Sequence, residues 1–275
     1  MNGRRKLFLA FALVLLVTAA CAGHAGAPPD AGVPPAPGAY EPRVYENDRG
    51  ERLPYQLFVP AGYDRRKKYP LVLWLHGAGG RGSDNRKQLA EGNSQGASVW
   101  TVPGNQARFP SFVVAPQCPS HAMWTSIDSE VEPTGQLRLV VELLGQLQRD
   151  YAIDAGRLYV AGQSMGGFGA WALITEHPGM FAAAVPLCGG GNEARAARAA
   201  RVPVWAFHGE LDRSVRPERS RKMVAALKRA GGAPRYTEYE GDDHAIWDKV
   251  FSDPELLPWV FAQRLGGETA CGVRH

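Results

Sequence analysis

Cysteine and net charge are both scarce in this chain of 275 residues, and each shortage excludes a class of function. There are only four cysteines, with no C-x-x-C pair and no cluster of histidine and cysteine, so we predict no metal site. Basic residues exceed acidic ones by four, and three of them fall at positions 4 to 6. The rest of the chain is nearly neutral, which argues against a nucleic-acid partner. Apolar residues are plentiful, at 45%, and are enough for the core of one α/β domain.

The N-terminus has the pattern of a secretory signal. Three basic residues precede an apolar run at 7–17, which is short for a membrane span, so a retained anchor is only the alternative. The following "VTAAC" resembles a bacterial lipobox, which makes Cys21 a candidate lipidation site and the one expected membrane contact. Thr18 is less typical of a lipobox and leaves ordinary cleavage as the alternative. We expect a signal peptide at 1–20 and an exported protein, either a lipoprotein of the cell envelope or a periplasmic or secreted one.

Beyond the signal, composition divides the chain into a tether, a folded domain and a tail. Residues 21–39 are rich in Ala, Pro and Gly and cannot bury a core, so we expect a semi-extended tether. Across residues 40–266, continuous apolar runs alternate with helical periodicities. This alternation predicts an α/β fold, with a doubly wound, mainly parallel sheet of about eight strands and helices on both faces. A turn at 47–50 predicts a β-hairpin at its start, and residues 267–275 form a tail.

Two helices of this domain are predicted in detail. "TGQLRLVVELLGQLQRDY" has leucine and valine at helical spacing, with Thr134 as its N-cap. "EARAARAAR", at 193–201, is predicted as a helix between two strands. In sheets of this kind, ligands bind at the carboxyl ends of the strands.

The stretch "AGQSMGGFGAW", residues 161–171, places Ser164 in a G-x-S-x-G frame. In a glycine-rich chain the bare motif is a weak signal. Here a buried strand, "RLYVAGQ", leads into the serine and a helix follows it, which is the order that a nucleophile elbow requires. Glycines on both sides let strand and helix approach at a sharp turn, so Ser164 is the candidate nucleophile.

A serine nucleophile needs a base and a group that orients the base, and both follow later strands. "FHGELDRSV" presents Glu210 and Asp212 at the end of one strand, and "YEGDDHAIW" presents His244 after the next. We prefer Asp212 to Glu210 because it lies further into the loop, where it can turn towards His244. The alternative for His244 is a capping or solvent-facing loop histidine, but its position after the last strand favours the base.

Acyl transfer also needs hydrogen-bond donors for the oxyanion. The backbone N–H of Met165, directly after the nucleophile, is one candidate. The glycine-rich loop "LHGAGG" after an earlier strand offers the second, for which we choose Ala78 with Gly77 or Gly79 as alternatives. We expect His76 to brace this loop through hydrogen bonds rather than to act as a base.

Two further residues have both a pocket and a packing interpretation. Trp124 follows a strand and could form a wall of the substrate pocket, or it could pack in the core. Gln163 adjoins the nucleophile and could touch substrate, although a role in propping the turn is favoured.

Seven segments together resemble one known superfamily: "YQLFVPAGYD", "LWLHGAGGRGSDN", "VVAPQCP", "AGQSMGGFGAW", "PLCGGG", "VPVWAFHGELD" and "YEGDDHAIW". From Tyr55 to about Leu265 the chain looks like an α/β-hydrolase. It is most similar to the exported esterase branch, often labelled predicted peptidase or prolyl-oligopeptidase-like and related to dienelactone hydrolases. The resemblance implies a catalytic triad of Ser164, Asp212 and His244. It also implies esterase activity, while the peptidase labels rest on fold analogy.

The resemblance also bears on the cysteines. Its strand order puts two strands between those that Cys118 and Cys188 follow, a separation of about 14 Å that disfavours a disulfide. With Cys21 assigned to the lipid anchor, the odd remainder that includes Cys271 leaves at least one free thiol or an intermolecular bond.

Together these residues predict a serine hydrolase that cleaves carboxylic esters through an acyl-serine, without a metal or an organic cofactor. A serine peptidase of the same fold is the first alternative, and a non-catalytic binding lipoprotein is the second. The short segment between "PLCGGG" and the next strand leaves little room for a cap. We therefore expect an open pocket that admits small-molecule or carbohydrate esters.

Overall fold

The computed structural model describes residues 38–126 and 133–266. Within these ranges eight strands form one sheet: β1 (Tyr40–Glu46), β2 (Arg52–Phe58), β3 (Tyr69–Leu75), β4 (Phe112–Pro116), β5 (Ile153–Gln163), β6 (Ala183–Leu187), β7 (Trp205–Gly209) and β8 (Arg235–Tyr239). The α-helices there are α1 (Ser94–Ser98), α2 (Pro103–Arg108), α3 (Gly135–Asp150), α4 (Met165–Glu176), α5 (Glu218–Arg229), α6 (Trp247–Ser252) and α7 (Leu256–Ala262). Short 3-10 helices lie at Ala78–Gly80, Lys87–Leu89, Glu91–Asn93 and Glu193–Ala199.

The sheet has the order β1-β2-β4-β3-β5-β6-β7-β8 and is parallel except at its N-terminal edge. β1 and β2 form the predicted antiparallel hairpin, and β2 also pairs with β4 in antiparallel fashion. From β4 to β8 every pairing is parallel, with Leu73 opposite Val114 on one side and Val160 on the other. This confirms the predicted doubly wound sheet, and it brings the loops after β3, β5, β7 and β8 to one edge.

The core consists of two apolar layers, one on each face of the sheet. One layer contains side chains from α3, α4 and α5, and the other contains side chains from α1, α6 and α7. Strands β3, β4, β6 and β7 are buried along their whole length. Helices on both faces explain why these strands read as unbroken apolar runs in the sequence.

α3 and α4 differ because only one of them has a free face. α3 is capped by Thr134, whose Oγ1 accepts the Gln136 N–H at 3.2 Å, as predicted. It buries six leucine and valine side chains on one face and exposes polar groups on the other. α4 begins directly after Ser164 and buries eleven of its twelve residues. It packs against β3, β5, β6 and the 3-10 helix that follows β6, so no side of it is left for polar residues.

The helix predicted at 193–201 is present as a 3-10 helix at Glu193–Ala199. Residues three apart eclipse one another in a 3-10 helix. This stacks Arg195 and Arg198 on the Glu176 carboxylate of α4, at 2.6 and 3.1 Å. Helices α1, α2 and α6 were not predicted, because each is too short to show a periodicity.

The expected signal peptide with Cys21, the tether up to residue 37, and the tail at 267–275 with Cys271 lie outside the described residues. Among the helices of 38–126 and 133–266, none combines the length and apolar character that a bilayer crossing requires.

Candidate active site

Ser164 occupies the turn between β5 and α4, where the backbone is strained. Its φ of 54° and ψ of −117° lie in a region that non-glycine residues rarely adopt. The Ser164 N–H donates to the Leu187 carbonyl oxygen of β6 at 2.8 Å, which fixes the turn against the sheet. At Gly166, a Cβ atom would lie 1.9 Å from the Leu75 carbonyl oxygen, so only glycine permits this approach of helix and strand. The sequence motif is thus required by the packing of α4.

Ser164, His244 and Asp212 form one hydrogen-bonded chain at the carboxyl edge of the sheet. The His244 Nε2 lies 2.9 Å from the Ser164 Oγ, and the His244 Nδ1 lies 2.6 Å from the Asp212 Oδ2. The imidazole packs edge-on against Trp247 at 5.4 Å and is 26% exposed, while the Asp212 carboxylate is fully buried. The three residues come from the loops after β5, β7 and β8, which the topology places side by side.

The environment of Asp212 keeps its carboxylate ionised. Burial acts to raise its pKa, but hydrogen bonds from His244 and from the amides of Val215 and Ser214 outweigh burial and hold the pKa below its ordinary value. Those amides donate to Oδ1 at 2.9 and 2.8 Å. The sequence alternative, Glu210, instead accepts the Gly241 N–H at 2.9 Å on the exposed surface.

The glycine-rich loop after β3 turns through the 3-10 helix Ala78–Gly80. Within the described residues, neither the Ala78 nor the Met165 N–H has a hydrogen-bond acceptor. The Gly77 N–H is occupied, because it donates to the Asn93 Oδ1 at 2.8 Å. Among the described residues the Gly79 N–H has no acceptor either, so Gly77 is excluded and Ala78, Gly79 and Met165 remain the candidate donors.

His76 stabilises this loop through both of its ring nitrogens. Its Nδ1 donates to the Gly77 carbonyl oxygen at 2.6 Å, and its Nε2 accepts the Cys118 N–H at 3.0 Å. Burial lowers the pKa of His76 to about 4, so the ring is neutral and its two nitrogens have opposite roles. It thus has the bracing contacts expected of it, with both nitrogens engaged by backbone.

The structure favours the packing interpretation of Trp124 and the propping interpretation of Gln163. Trp124 is 0% exposed, and its indole N–H donates to the His76 carbonyl oxygen at 3.1 Å. A tryptophan without exposed surface and with its N–H paired inside the core packs there and does not line a pocket. Gln163 is buried and donates through Nε2 to the Gly92 carbonyl oxygen at 2.6 Å and the Asn93 Oδ1 at 3.2 Å.

Sequence reasoning missed two residues of the site. The Asn93 Oδ1 accepts from the Gly77 N–H and from the Gln163 Nε2, and so connects the glycine-rich loop to the end of β5. The short helices around Asn93 show no sequence periodicity that could have indicated this role. His208 is a fully buried histidine on β7 whose Nε2 lies 3.2 Å from the Asp212 Oδ2. A signal existed for it, since a histidine in a buried strand needs partners, and Asp212 follows four residues later.

Cys188 lies beside the hydrogen-bonded chain with a φ of 44°. Its thiol, Asp212 and His244 are the one group of potential metal ligands in the described residues, with ligand atoms within 4.8 Å of one another. Burial raises the pKa of the thiol, so it stays protonated, and the other two residues already bind each other. These three side chains are therefore better suited to hydrogen bonding among themselves than to binding a metal cation. Cys118 and Cys188 are both free thiols, and β3 and β5 separate the strands they follow.

Fold and site together define the class of this protein. Its strand order, the serine turn between β5 and α4, and the aspartate and histidine after β7 and β8 are the arrangement of an α/β-hydrolase. The protein is therefore an α/β-hydrolase.

Within that superfamily, the chain matches the Esterase family, described as "Putative esterase", over residues 47–190, which is more than half of its length. The chain belongs to this family of carboxylesterases. The match includes the serine turn and the glycine-rich loop and ends before Asp212 and His244. The assignment of those two residues to the site rests on the geometry alone.

Individual relatives support the same family. A crystal structure of a thermostable esterase is 39% identical, with a TM-score of 0.78 over 82% of this chain and 63% of the other. Poly(3-hydroxyalkanoate) depolymerase C of Paucimonas lemoignei is 30% identical over 143 residues, which are 49% of this chain and 31% of that protein. A bifunctional acetylxylan esterase/xylanase of Neocallimastix patriciarum is 26% identical over 169 residues, 61% of this chain and 22% of that protein. The chain thus spans less than a third of either curated relative.

Proposed function

We propose that this protein is a serine carboxylesterase whose catalytic triad is Ser164, His244 and Asp212. The observation that carries the proposal is the unbroken chain from the Ser164 Oγ to the His244 Nε2 at 2.9 Å and from the His244 Nδ1 to Asp212 at 2.6 Å. Nucleophile, base and orienting acid need these contacts in this order. Membership of the Esterase family supports the ester as the bond that is cleaved.

In the first half-reaction Ser164 is acylated. Since the His244 Nδ1–H donates to Asp212, the Nε2 is unprotonated and can take the Ser164 proton as Oγ attacks the ester carbonyl. The tetrahedral oxyanion would accept hydrogen bonds from the Met165 and Ala78 N–H groups. His244 then gives its proton to the departing alcohol oxygen, the carbon–oxygen bond breaks, and an acyl-serine remains.

In the second half-reaction water takes the place of the alcohol. His244 removes a proton from the water as its oxygen attacks the acyl carbonyl, and the same two amides stabilise the second oxyanion. The proton returns to the Ser164 Oγ as the carboxylic acid leaves. Asp212 stays ionised throughout and stabilises the imidazolium that forms twice in the cycle.

For the substrate we propose small-molecule or carbohydrate-linked esters that enter an open pocket. Between β6 and β7 the chain forms only the short 3-10 helix Glu193–Ala199, so that connection supplies no large cap. One relative is named for acetylxylan, a carbohydrate ester, which is the same class. A panel of p-nitrophenyl esters of graded chain length, feruloyl esters and acetylated sugars tests this. A strong preference for long acyl chains would contradict it.

Ser164→Ala tests the reaction itself. We expect ester turnover to fall by about 10⁶-fold, with the melting temperature nearly unchanged, because the nucleophile is lost. A fluorophosphonate probe should label Ser164 in the wild type and leave the variant unlabelled. Ser98→Ala, at an exposed serine of α1, is the matched control and should keep wild-type turnover.

Other outcomes of this experiment point to other functions. Full turnover in Ser164→Ala would overturn the assignment of the nucleophile. Labelling of Ser164 with cleavage of peptides but of no ester on the panel would favour a peptidase. A folded wild-type protein that takes up no probe would favour a non-catalytic binding module.

We also propose that residues 1–20 direct export, that Cys21 carries a lipid anchor, and that 21–39 tether the catalytic domain at 40–266. The basic start, the short apolar run and "VTAAC" support this. Expressed in a bacterium, the full chain should fractionate with membranes, and Cys21→Ser should move it to the soluble fraction. A wild-type chain found only in the soluble fraction would contradict the anchor.

A further inference from the structure

A second histidine contacts Asp212 and has no part in the mechanism above. His208 lies on β7 and is fully buried. Its Nε2 lies 2.8 Å from the Val215 carbonyl oxygen and 3.2 Å from the Asp212 Oδ2. Its Nδ1 lies 2.7 Å from the Oγ of Ser220 on α5. Both ring nitrogens are thus held, one by the loop that carries Asp212 and the other by a helix.

The partners of the ring determine where its protons lie. The Val215 carbonyl oxygen and the Asp212 carboxylate can only accept, so the Nε2 of His208 must carry a proton and donate. Burial lowers the pKa of His208, which favours a neutral ring whose Nδ1 accepts from the Ser220 hydroxyl. The Ser220 Oγ also lies 3.0 Å from the Gly189 carbonyl oxygen. If the hydroxyl points there instead, both ring nitrogens must donate and the ring is charged; in either case Nε2 faces Asp212 as a donor.

The two oxygens of Asp212 are held in different ways. Oδ1 accepts two backbone amides, those of Ser214 and Val215. Oδ2 accepts from the His244 Nδ1 and from the His208 Nε2. His244 is part-exposed and belongs to a loop, whereas His208 belongs to a buried strand in the middle of the fold. Of the two imidazoles on Oδ2, the one anchored in the sheet is His208.

We propose that His208, oriented by Ser220, is a positioning residue that fixes the Oδ2 of Asp212 for its hydrogen bond to His244. This inference rests on the proposed function, in which His244 cycles between neutral and charged forms. A carboxylate pinned at Oδ1 alone could still turn about its last bond, and Oδ2 would then follow His244. The second donor holds Oδ2 in place while His244 loses and gains its proton.

Two substitutions separate this role from plain core packing. The amide of a glutamine at position 208 reaches the place of the Nε2 and can still donate to Asp212. The amide of an asparagine reaches the place of the Nδ1 and can contact Ser220 only. Both are polar, neutral and no larger than histidine, so His208→Gln and His208→Asn are matched in charge and polarity and differ in which partner of His208 they can still contact.

We expect His208→Asn to lower kcat by about 10- to 100-fold with KM nearly unchanged, because a hydrogen bond to a charged group is lost away from the substrate. The acid-side limb of its kcat/KM profile should move to higher pH, since a carboxylate with one donor fewer binds the imidazolium more strongly. His208→Gln should keep most of the kcat and the wild-type limb. Equal kcat and equal pH profiles in the two variants would overturn the proposal.

A second variant keeps the test decisive if His208→Asn fails to fold. Ser220→Ala leaves the imidazole in place and removes only the group that orients it. We expect a several-fold loss of kcat at constant KM, with a lowered melting temperature but a folded protein, because a buried hydrogen bond is lost. Wild-type kcat in Ser220→Ala would overturn the role given to Ser220 and, with it, the proposal.

A readout without turnover separates this proposal from the proposed function. The proton in the 2.6 Å bond between the His244 Nδ1 and Asp212 should give a far-downfield NMR signal. That signal should shift in His208→Asn and stay in place in His208→Gln, whatever ester the protein cleaves. A signal identical in both variants and in the wild type would overturn the positioning role even if Ser164 proved to be the nucleophile.

Discussion

Ser164 lies between two loop regions, here called the β3 flank and the β7 flank after the strands that they follow. These two regions are stabilised in opposite ways. On the β3 flank, the proposed oxyanion donors are backbone amides, and the side chains of His76 and Asn93 hold the loop that carries them through hydrogen bonds to Gly77. On the β7 flank, the proposed orienting group is a side chain, Asp212, whose Oδ1 is held by two backbone amides. The function of the β3 flank should therefore depend on its backbone conformation, and the function of the β7 flank on the identity of Asp212.

This difference has a physical origin. An oxyanion is a small target, and two N–H groups of the main chain can approach it closely without the freedom of a side chain. The orienting acid must carry a full charge in a buried place, which only a carboxylate with several donors can do. Substitutions that separate side-chain identity from backbone geometry should therefore affect the two flanks differently.

The largest effect is expected on the β7 flank. Asp212→Asn keeps the shape of the side chain but offers an amide N–H to His244, which favours the wrong tautomer of the imidazole. We expect kcat to fall by about 10⁴-fold, with the melting temperature little changed. Steady-state kinetics on a p-nitrophenyl ester and thermal unfolding measure the two quantities.

Glu210→Gln is the matched control for Asp212→Asn. Glu210 is exposed and accepts one amide at the surface, so its loss should leave kcat within about twofold of the wild type. If Glu210→Gln were the more damaging change, the orienting acid would have been assigned to the wrong residue.

The next effect is expected on the β3 flank, where only the N–H should matter. Ala78→Pro removes that donor at the first position of the 3-10 helix, which a proline tolerates, and Gly77 before it is already extended with a ψ of 178°. We expect a loss of about 10²- to 10³-fold in kcat. Ala78→Ser keeps the N–H and should stay close to the wild type. Similar kcat values for the two variants would exclude Ala78 as a donor.

The same contrast explains what the sequence could predict. The buried strands, the serine turn and the pair Asp212 and His244 could be predicted from the sequence. Each depends on particular residue types at fixed positions relative to a strand. The fold is confirmed, and these three residues meet in one hydrogen-bonded chain. Asn93 and His208 were not found, because their roles depend on which loop or strand lies beside them.

Trp124 and the segment 193–201 show the limit of sequence patterns in another way. A tryptophan at a strand edge has the same pattern whether it faces a pocket or packs under a loop. The burial of the side chain and its hydrogen bond to the His76 carbonyl oxygen decide between them. Likewise, alanines with an arginine at every third position predict a helix but do not tell a 3-10 helix from an α-helix.

The smallest effect concerns the stability of the β3 flank in acid. The pKa of His76 is about 4 in the folded protein and 6.5 in its ordinary state, because burial disfavours the charged ring. Between these values the unfolded chain binds a proton that the folded protein does not, so stability falls as the pH drops through this window. From pH 7 to pH 4.5 the loss due to His76 should be about 2 kcal/mol.

Urea unfolding of the wild type and of His76→Gln at both pH values isolates this term. The pKa of His208 is lowered by burial as well, so the wild type alone would report both flanks together. Glutamine keeps a polar group in place and does not titrate. The wild type should therefore lose about 2 kcal/mol more than the variant between pH 7 and pH 4.5. Equal losses would mean that folding does not lower the pKa of His76, and the loop around Ala78 would then lack the neutral, backbone-bonded ring that braces it here.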